Sequence, residues 1–356
     1  MRRIYIHLNW FSLMSLVLIC NIEIGAYRFR QVNDVEIRKS WRNLGGTATI
    51  CLPLKSNLQS VIKPGNPVKI TLGYLNVYEG VEFEGYVSRV LPGFPLTIEC
   101  EDNSYLLKKT NLSKSWNSTT LGEIVNYIIT QVKTKFPDAN ISLNASEIPK
   151  VSFLPTTKKD GTVVQGFRLA NVSAARALSI LKENYGLASF FQDKVLFVGL
   201  ANQPNNTAID KNNLVKHSFT WNIIAQESDL IFRRADEVSL KVKIYGITKT
   251  NQKIETDETI GDEDGEQRTI YIYNVTDKAA LKKQAIDELN RMKFDGYDGS
   301  FSTFLVPYAQ PLMVTSLYDP RFVDNSQGNF IIDTVITTFG ERGARRRIEP
   351  GRRVSI

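Results

Sequence analysis

The chain has 356 residues, 42% of them apolar and 23% charged, a balance ordinary for a soluble protein with real cores. At about 100–200 residues per domain, this length suggests two or three domains. Three widely spaced cysteines and two histidines exclude a disulfide framework and a zinc site, and a net charge of +7 favours anionic partners.

Met1-Arg2-Arg3 and the apolar run 11–20 have the look of a secretory leader. No A-x-A site follows, Ile19 stands where a lipoprotein signal needs a small residue before Cys20, and the run is too short to span a bilayer. Stable membrane insertion is therefore not expected. The alternative is a start at Met14, with residues 1–13 an upstream extension.

Residues 14–112 read as strands, consistent with fourteen Tyr and eighteen Phe. Ile22, Ile24, Tyr27, Phe29, Val35 and Ile37 alternate with polar neighbours, the period of half-buried sheet. Further runs at 47–52, 68–74, 83–90 and 96–100 are separated by Gly45-Gly46, Pro64-Gly65-Asn66-Pro67 and Pro92-Gly93. No helix is expected there.

The texture changes near residue 113. Thr120 and Glu123 have capping-box spacing, and Leu121, Ile124, Val125, Ile128 and Val132 continue as a helix until Pro137. Ser173 predicts the start of a second helix that ends at Gly186. Strands at 188–191 and 195–198 follow, and Gln203-Pro204-Asn205-Asn206 reads as a linker. Strands return at 216–221, 238–247 and 269–273, before a third helix capped by Thr276 with Leu281, Ala285, Leu289 and Met292 on one face. Strands at 299–306, 312–317 and 330–339 lead to an Arg-rich end. One echo stands out. Pro67-Val68-Lys69-Ile70-Thr71 with Phe83-Glu84-Gly85-Tyr86-Val87 resembles Pro311-Leu312-Met313-Val314-Thr315 with Phe330-Ile331-Ile332-Asp333-Thr334.

Chemistry is poorly supplied. A nucleophilic triad would have to use His217 beside Ser218, and a single histidine on a strand edge is structural far more often than catalytic. No catalytic residue, cofactor or metal is assigned. The loop 255–266 carries Asp257, Glu258, Asp262, Glu263, Asp264 and Glu266, but lacks EF-hand spacing and its distal ligand. A solvated hairpin or a contact with a basic neighbour remains. Arg342, Arg345, Arg346, Arg347, Arg352 and Arg353 are the strongest charge feature, and guanidinium forks bind carboxylates or phosphates through paired bonds. Without interleaved exposed aromatics or a recognition helix, a protein surface is expected ahead of a solvated tail or nucleic acid. The expected interface residues are Arg342, Arg345, Arg346 and Arg347, with Asp262 and Asp264 on the acidic loop.

In order along the chain, Ile24-Gly25-Ala26-Tyr27-Arg28-Phe29, Val35-Glu36-Ile37-Arg38-Lys39-Ser40-Trp41, Gly65-Asn66-Pro67-Val68-Lys69-Ile70, Phe83-Glu84-Gly85-Tyr86-Val87, Lys293-Phe294-Asp295-Gly296-Tyr297 and Phe339-Gly340-Glu341-Arg342-Gly343 resemble the late control protein D family. These are the baseplate hub proteins of contractile-tailed phages and related injection systems, and the likeness runs from about residue 16 to 350. It implies a β-rich α+β fold with two tail-tube-like barrels. The first would be 14–112 and the second 207–240 with 299–356, with an α+β domain at 113–206 and a strand–helix insertion at 241–298. It further implies a homotrimeric ring adapting a hexameric tail tube to a threefold tail tip or spike. The partners would be tube, tip and other baseplate or tape-measure proteins, and DNA would be only passing cargo. The place would be the virion tail or baseplate, assembled in the host cytoplasm, with no enzymatic activity. The alternative is a secreted bacterial surface protein that binds or cleaves carbohydrate, which rests on the leader-like start and on Trp116 and Trp221.

Overall fold

The computed structural model describes residues 16–53, 61–157, 163–164, 166–200, 209–255, 259–275, 277–320 and 328–354. Residues 1–15 of the leader-like start, the 203–206 linker, Thr276, Asp257 and Glu258 lie outside the described residues.

Alternation places Cys20, Ile22 and Ile24 on the inner face of β1 (Leu18–Ile24). β2 (Tyr27–Phe29) returns from it, and β3 (Asp34–Ser40) pairs with β4 (Thr47–Leu52). β5 (Pro67–Tyr74), β6 (Tyr78–Leu91) and β7 (Leu96–Glu101) form an antiparallel meander. The order is β2-β1-β5-β6-β7-β4-β3, with Ile37, Ile50, Ile70, Phe83 and Ile98 in its core. Cys20, Cys51 and Cys100 are free thiols, and burial pushes Cys20 up to about 11 and Cys100 up to about 12. One element departs from the all-strand expectation. Ser104–Lys109 is a short helix, because Tyr105, Leu106 and Leu107 find cover in the core of the neighbouring insert.

That insert carries helix Leu121–Lys135, whose capping box is complete. The Glu123 N–H donates to Thr120 Oγ1 at 3.3 Å, and the Thr120 N–H donates to the Glu123 carboxylate at 2.9 Å. Helix Ala174–Tyr185 starts on Ser173 and stops at Gly186, whose φ of +59° lies in the left-handed region. Helix Lys278–Met292 begins on Asp277, which accepts the Ala280 N–H at 2.8 Å, and packs Leu281, Ala285 and Leu289 against strand Leu240–Ile247. The two inserted units lean on each other: the Tyr271 and Tyr273 hydroxyls donate to the carbonyls of Glu183 and Tyr185.

The strands of the second half that join the large sheet repeat the first pairing order. Met313–Tyr318, Gly328–Gly340 and Gly343–Val354 form a meander, with Asp210–Ser218 alongside its first member. The last member pairs with Gly296–Asp298 and Phe301–Thr303, which pair outward with Ile231–Arg233 and Ile223–Ile224. This is the β1, β5-β6-β7, β4, β3 sequence again. The echoed segments lie in corresponding strands, one residue apart in register: Phe83 faces Ile70, Phe330 faces Thr315 (the counterpart of Thr71), and both rings are buried. One detail differs. β1 runs antiparallel to β5, whereas Asp210–Ser218 runs parallel to Met313–Tyr318.

Strand Gly328–Gly340 is long enough to serve both halves. Its first residues pair with Met313–Tyr318, and Thr334–Gly340 then pairs antiparallel with β3. A single 15-stranded sheet results. Among the described residues neither half closes into a separate barrel: in the first half the β3 edge is taken by Thr334–Gly340, and in the second the outer segments Ile223–Ile224 and Ile231–Arg233 carry no further strand. The Arg-rich end is the strand Gly343–Val354, a central member of this sheet.

Candidate assembly site

The joint between the two halves brings together residues almost a chain length apart. Asp333 sits where Gly328–Gly340 passes from one half to the other. Its carboxylate accepts from Trp41 Nε1 at 2.7 Å and from the Arg42 guanidinium, while the Ser40 hydroxyl donates to its carbonyl at 3.2 Å. Thr334 Oγ1 donates to Ser40 Oγ at 3.1 Å.

Beneath this seam lies a buried ion pair. Arg346 Nη2 donates to Glu82 Oε1 on β6 at 2.6 Å, and the Arg346 side chain is 0% exposed. Tyr78 donates to the same carboxylate at 2.8 Å, and the Tyr308 ring lies 4.8 Å from the guanidinium. Burial, reinforced by the Glu82 charge, pushes the Tyr78 hydroxyl well up and that of Tyr308 up to about 12. Tyr74 closes the group by donating to the Ala344 carbonyl at 3.0 Å. A β-bulge beside Ile70 lets the consecutive residues Glu82 and Phe83 both turn inward.

The four arginines named from the sequence therefore separate. Arg342 sits exposed in the turn that Gly343 makes at φ +90°. Arg345 pairs with Glu227 and Arg347 with Asp229, each at 3.3 Å. Arg346 faces inward and is spent within the chain. Asp262 is held elsewhere, accepting from the Leu240 N–H at 2.9 Å and from Lys293 at 2.6 Å. Asp264 is exposed in the same loop. The acidic loop and the arginines do not pair with each other through these contacts. The inward role of Arg346 was legible in principle: it shares the period-two phase of Ala344 and Ile348, both buried.

His217 is enclosed. Its Nδ1 lies 2.7 Å from the Thr315 hydroxyl and its ring stands edge-on to Phe301 at 5.0 Å. Burial, with the Arg346 charge second, pushes its pKa down to about 3, so the ring is neutral at pH 7 and closed to solvent. A cavity of about 690 Å³ lies between the first half and the insert, lined among others by Lys39, Trp41, Asp102, Phe190 and Asp193. Burial pushes Asp102 up to about 6. Its oxygens already accept the Gly46 and Ser104 N–H groups at 2.6 and 2.9 Å, so it anchors a turn. Of the exposed-aromatic candidates, Trp116 packs against Tyr127 and Phe167, whereas Trp221 is 73% exposed.

No family model and no curated protein matches the chain. Solved structures do. A tail protein from Neisseria meningitidis MC58 superimposes at TM-score 0.59 with 14% identity, over 94% of this chain and 96% of its own. The 43 kDa tail protein of prophage MuSo2 from Shewanella oneidensis matches at 0.55 with 14% identity, over 94% and 98%. The chain has the fold of phage tail proteins. An E. coli component of the type VI secretion system, described as similar to the T4 tail proteins gp27 and gp5, shares the tail-protein fold. It matches at 0.54 with 9% identity, over 94% of this chain and 77% of its own. Within this tail-protein fold, the seam at Asp333 and the ion pair at Arg346 hold the two halves together.

Proposed function

We propose that the chain is a structural protein of a phage-type tail or baseplate. Three copies close into a ring that joins a sixfold tail tube to a threefold tip or spike and leaves a passage for DNA or other cargo. One observation carries this reading: two halves of like pairing order are fused edge to edge in one chain, and three such chains in a ring would present a near-sixfold face. An open sheet edge is a template for another strand, and head-to-tail pairing closes when its rotation divides the circle. Each half then acts as an incomplete tube-like barrel completed across a joint. The tail-protein fold supports the same role, with tube, tip and other baseplate or tape-measure proteins as partners and the virion tail or baseplate as location.

The outward charges Arg342, Arg345 and Arg347, with Asp262 and Asp264 on the acidic loop, serve as docking positions toward neighbouring tail parts. Arg346 supports the fold from inside. Light scattering and negative-stain imaging of the purified chain test the ring. Threefold particles with a central hole and interfaces above about 2,000 Å² are expected. A stable, folded monomer at high concentration overturns it. Charge reversal at Arg342, Arg345 and Arg347 is expected to block tail assembly while the chain stays folded; normal tails from that variant dismiss the docking role.

A further inference from the structure

Within the chain, the hairpin Gly328–Gly340/Gly343–Val354 extends beyond its own half and adds to the free edge of β3. Its counterpart in the first half is the β6–β7 hairpin, and the counterpart of β3 is the outer pair of segments Ile223–Ile224 and Ile231–Arg233. Among the described residues both counterparts are unused, and β6 is held by β5 and the adjoining Asn66 and Gly65 only as far as Val87. Ile223–Ile224 and Ile231–Arg233 pair with no strand on their outer side among the described residues.

Phe83 and Phe330 fix the register. Thr334 and Gly340, the limits of the strand paired to β3, stand as far beyond Phe330 as Val87 and Gly93 stand beyond Phe83. The Asp34 end of β3 lies at the tip of the second hairpin, opposite Gly340. The same placement brings the Ile223 end of the outer edge against Gly93 and Phe94. The residues there fit the contact. Phe94 at the tip is 86% exposed, and Trp221, just before Ile223, and Ile231 are 73% and 69% exposed. Large apolar side chains at a strand edge and at a hairpin tip are what an addition between copies would cover.

We propose that the β6–β7 hairpin of one copy adds antiparallel to the Ile223–Arg233 edge of the next, with Phe94 set against Trp221. This deepens the ring reading and rests on it: in-chain and between-chain seams alternate around the ring, each a hairpin laid on an open edge.

The test uses the full chain. Arg89→Cys in one preparation is mixed with Ser228→Cys, Ile231→Cys or Arg233→Cys in another and mildly oxidised. Facing residues of antiparallel strands have Cα atoms about 4.5–5.5 Å apart, within disulfide range. Cross-linked dimers from at least one mixture, and none from either variant alone, are expected. In parallel, Phe94→Asp and Trp221→Asp should each weaken association more than tenfold while circular dichroism stays unchanged. A wild-type trimer that gives no cross-link in any mixture, or that tolerates both aspartates, overturns this contact and leaves the ring standing. A wild-type monomer overturns both.

Discussion

The two hairpins of this sheet are alike in order and opposite in circumstance. Gly328–Gly340/Gly343–Val354 lays its tip on β3, and the enclosure this creates buries Arg346 and Glu82 together. β6–β7 ends in open solvent with Phe94 at its tip. The same strand plan thus gives a rigid internal seam in one place and an unfilled edge in the other. What decides the difference is whether a partner edge lies within reach of the chain. A fused pair of halves satisfies one joint by itself and leaves the other for a neighbour.

The comparison breaks most sharply at Arg346. Arg346→Ala strands the Glu82 carboxylate in the seam and is expected to cost about 3–5 kcal/mol in urea unfolding. Replacing both partners, Arg346→Met with Glu82→Leu, should recover most of that. A single variant as stable as wild type would show that the seam is not held there. Next comes Asp333→Ala, which leaves the Trp41 indole N–H and the Arg42 guanidinium without their acceptor. A loss of about 1–3 kcal/mol is expected in the same measurement.

His217 sharpens the comparison through pH. The native ring stays neutral down to about pH 3, whereas the unfolded chain takes up a proton below about pH 6.5. Stability is therefore full above pH 6.5 and falls as pH drops toward 3, by up to about 1.4 kcal/mol per pH unit. Asp102 acts oppositely, its raised pKa removing stability as pH rises from 3.8 to about 6. The difference between wild type and His217→Gln at each pH isolates the imidazole; parallel curves would remove His217 from the account. The smallest effects belong to Arg345→Glu and Arg347→Glu. Their partly exposed pairs with Glu227 and Asp229 contribute less than about 1 kcal/mol each. Their unfolding should match wild type even where tail assembly fails.

Much of the framework was legible locally. Period-two alternation marked the strands of the first half, Thr120 with Glu123 marked one helix start, and Ser173 with Gly186 bracketed another. The Pro67 and Pro311 echo located equivalent hairpins. Two readings went astray for the same reason. Ser104–Lys109 is too short to show a helical period, and its burial comes from a unit that follows it in the chain. Arg346 was read as an outward docking residue because a run of arginines masks its alternation, although it shares the buried phase of Ala344 and Ile348.

By itself the sequence determined most of the strands and the three long helices, the caps of the first two, and which face of each is apolar, since these depend on neighbours a few residues away. Only the tertiary structure decided which open edge receives which strand. Ser40 meets Thr334 across 294 residues, and Glu82 meets Arg346 across 264. Backbone edges are chemically alike and carry no local address. Within the chain, the pairing that forms also gives the buried Arg346 its opposite charge, Glu82.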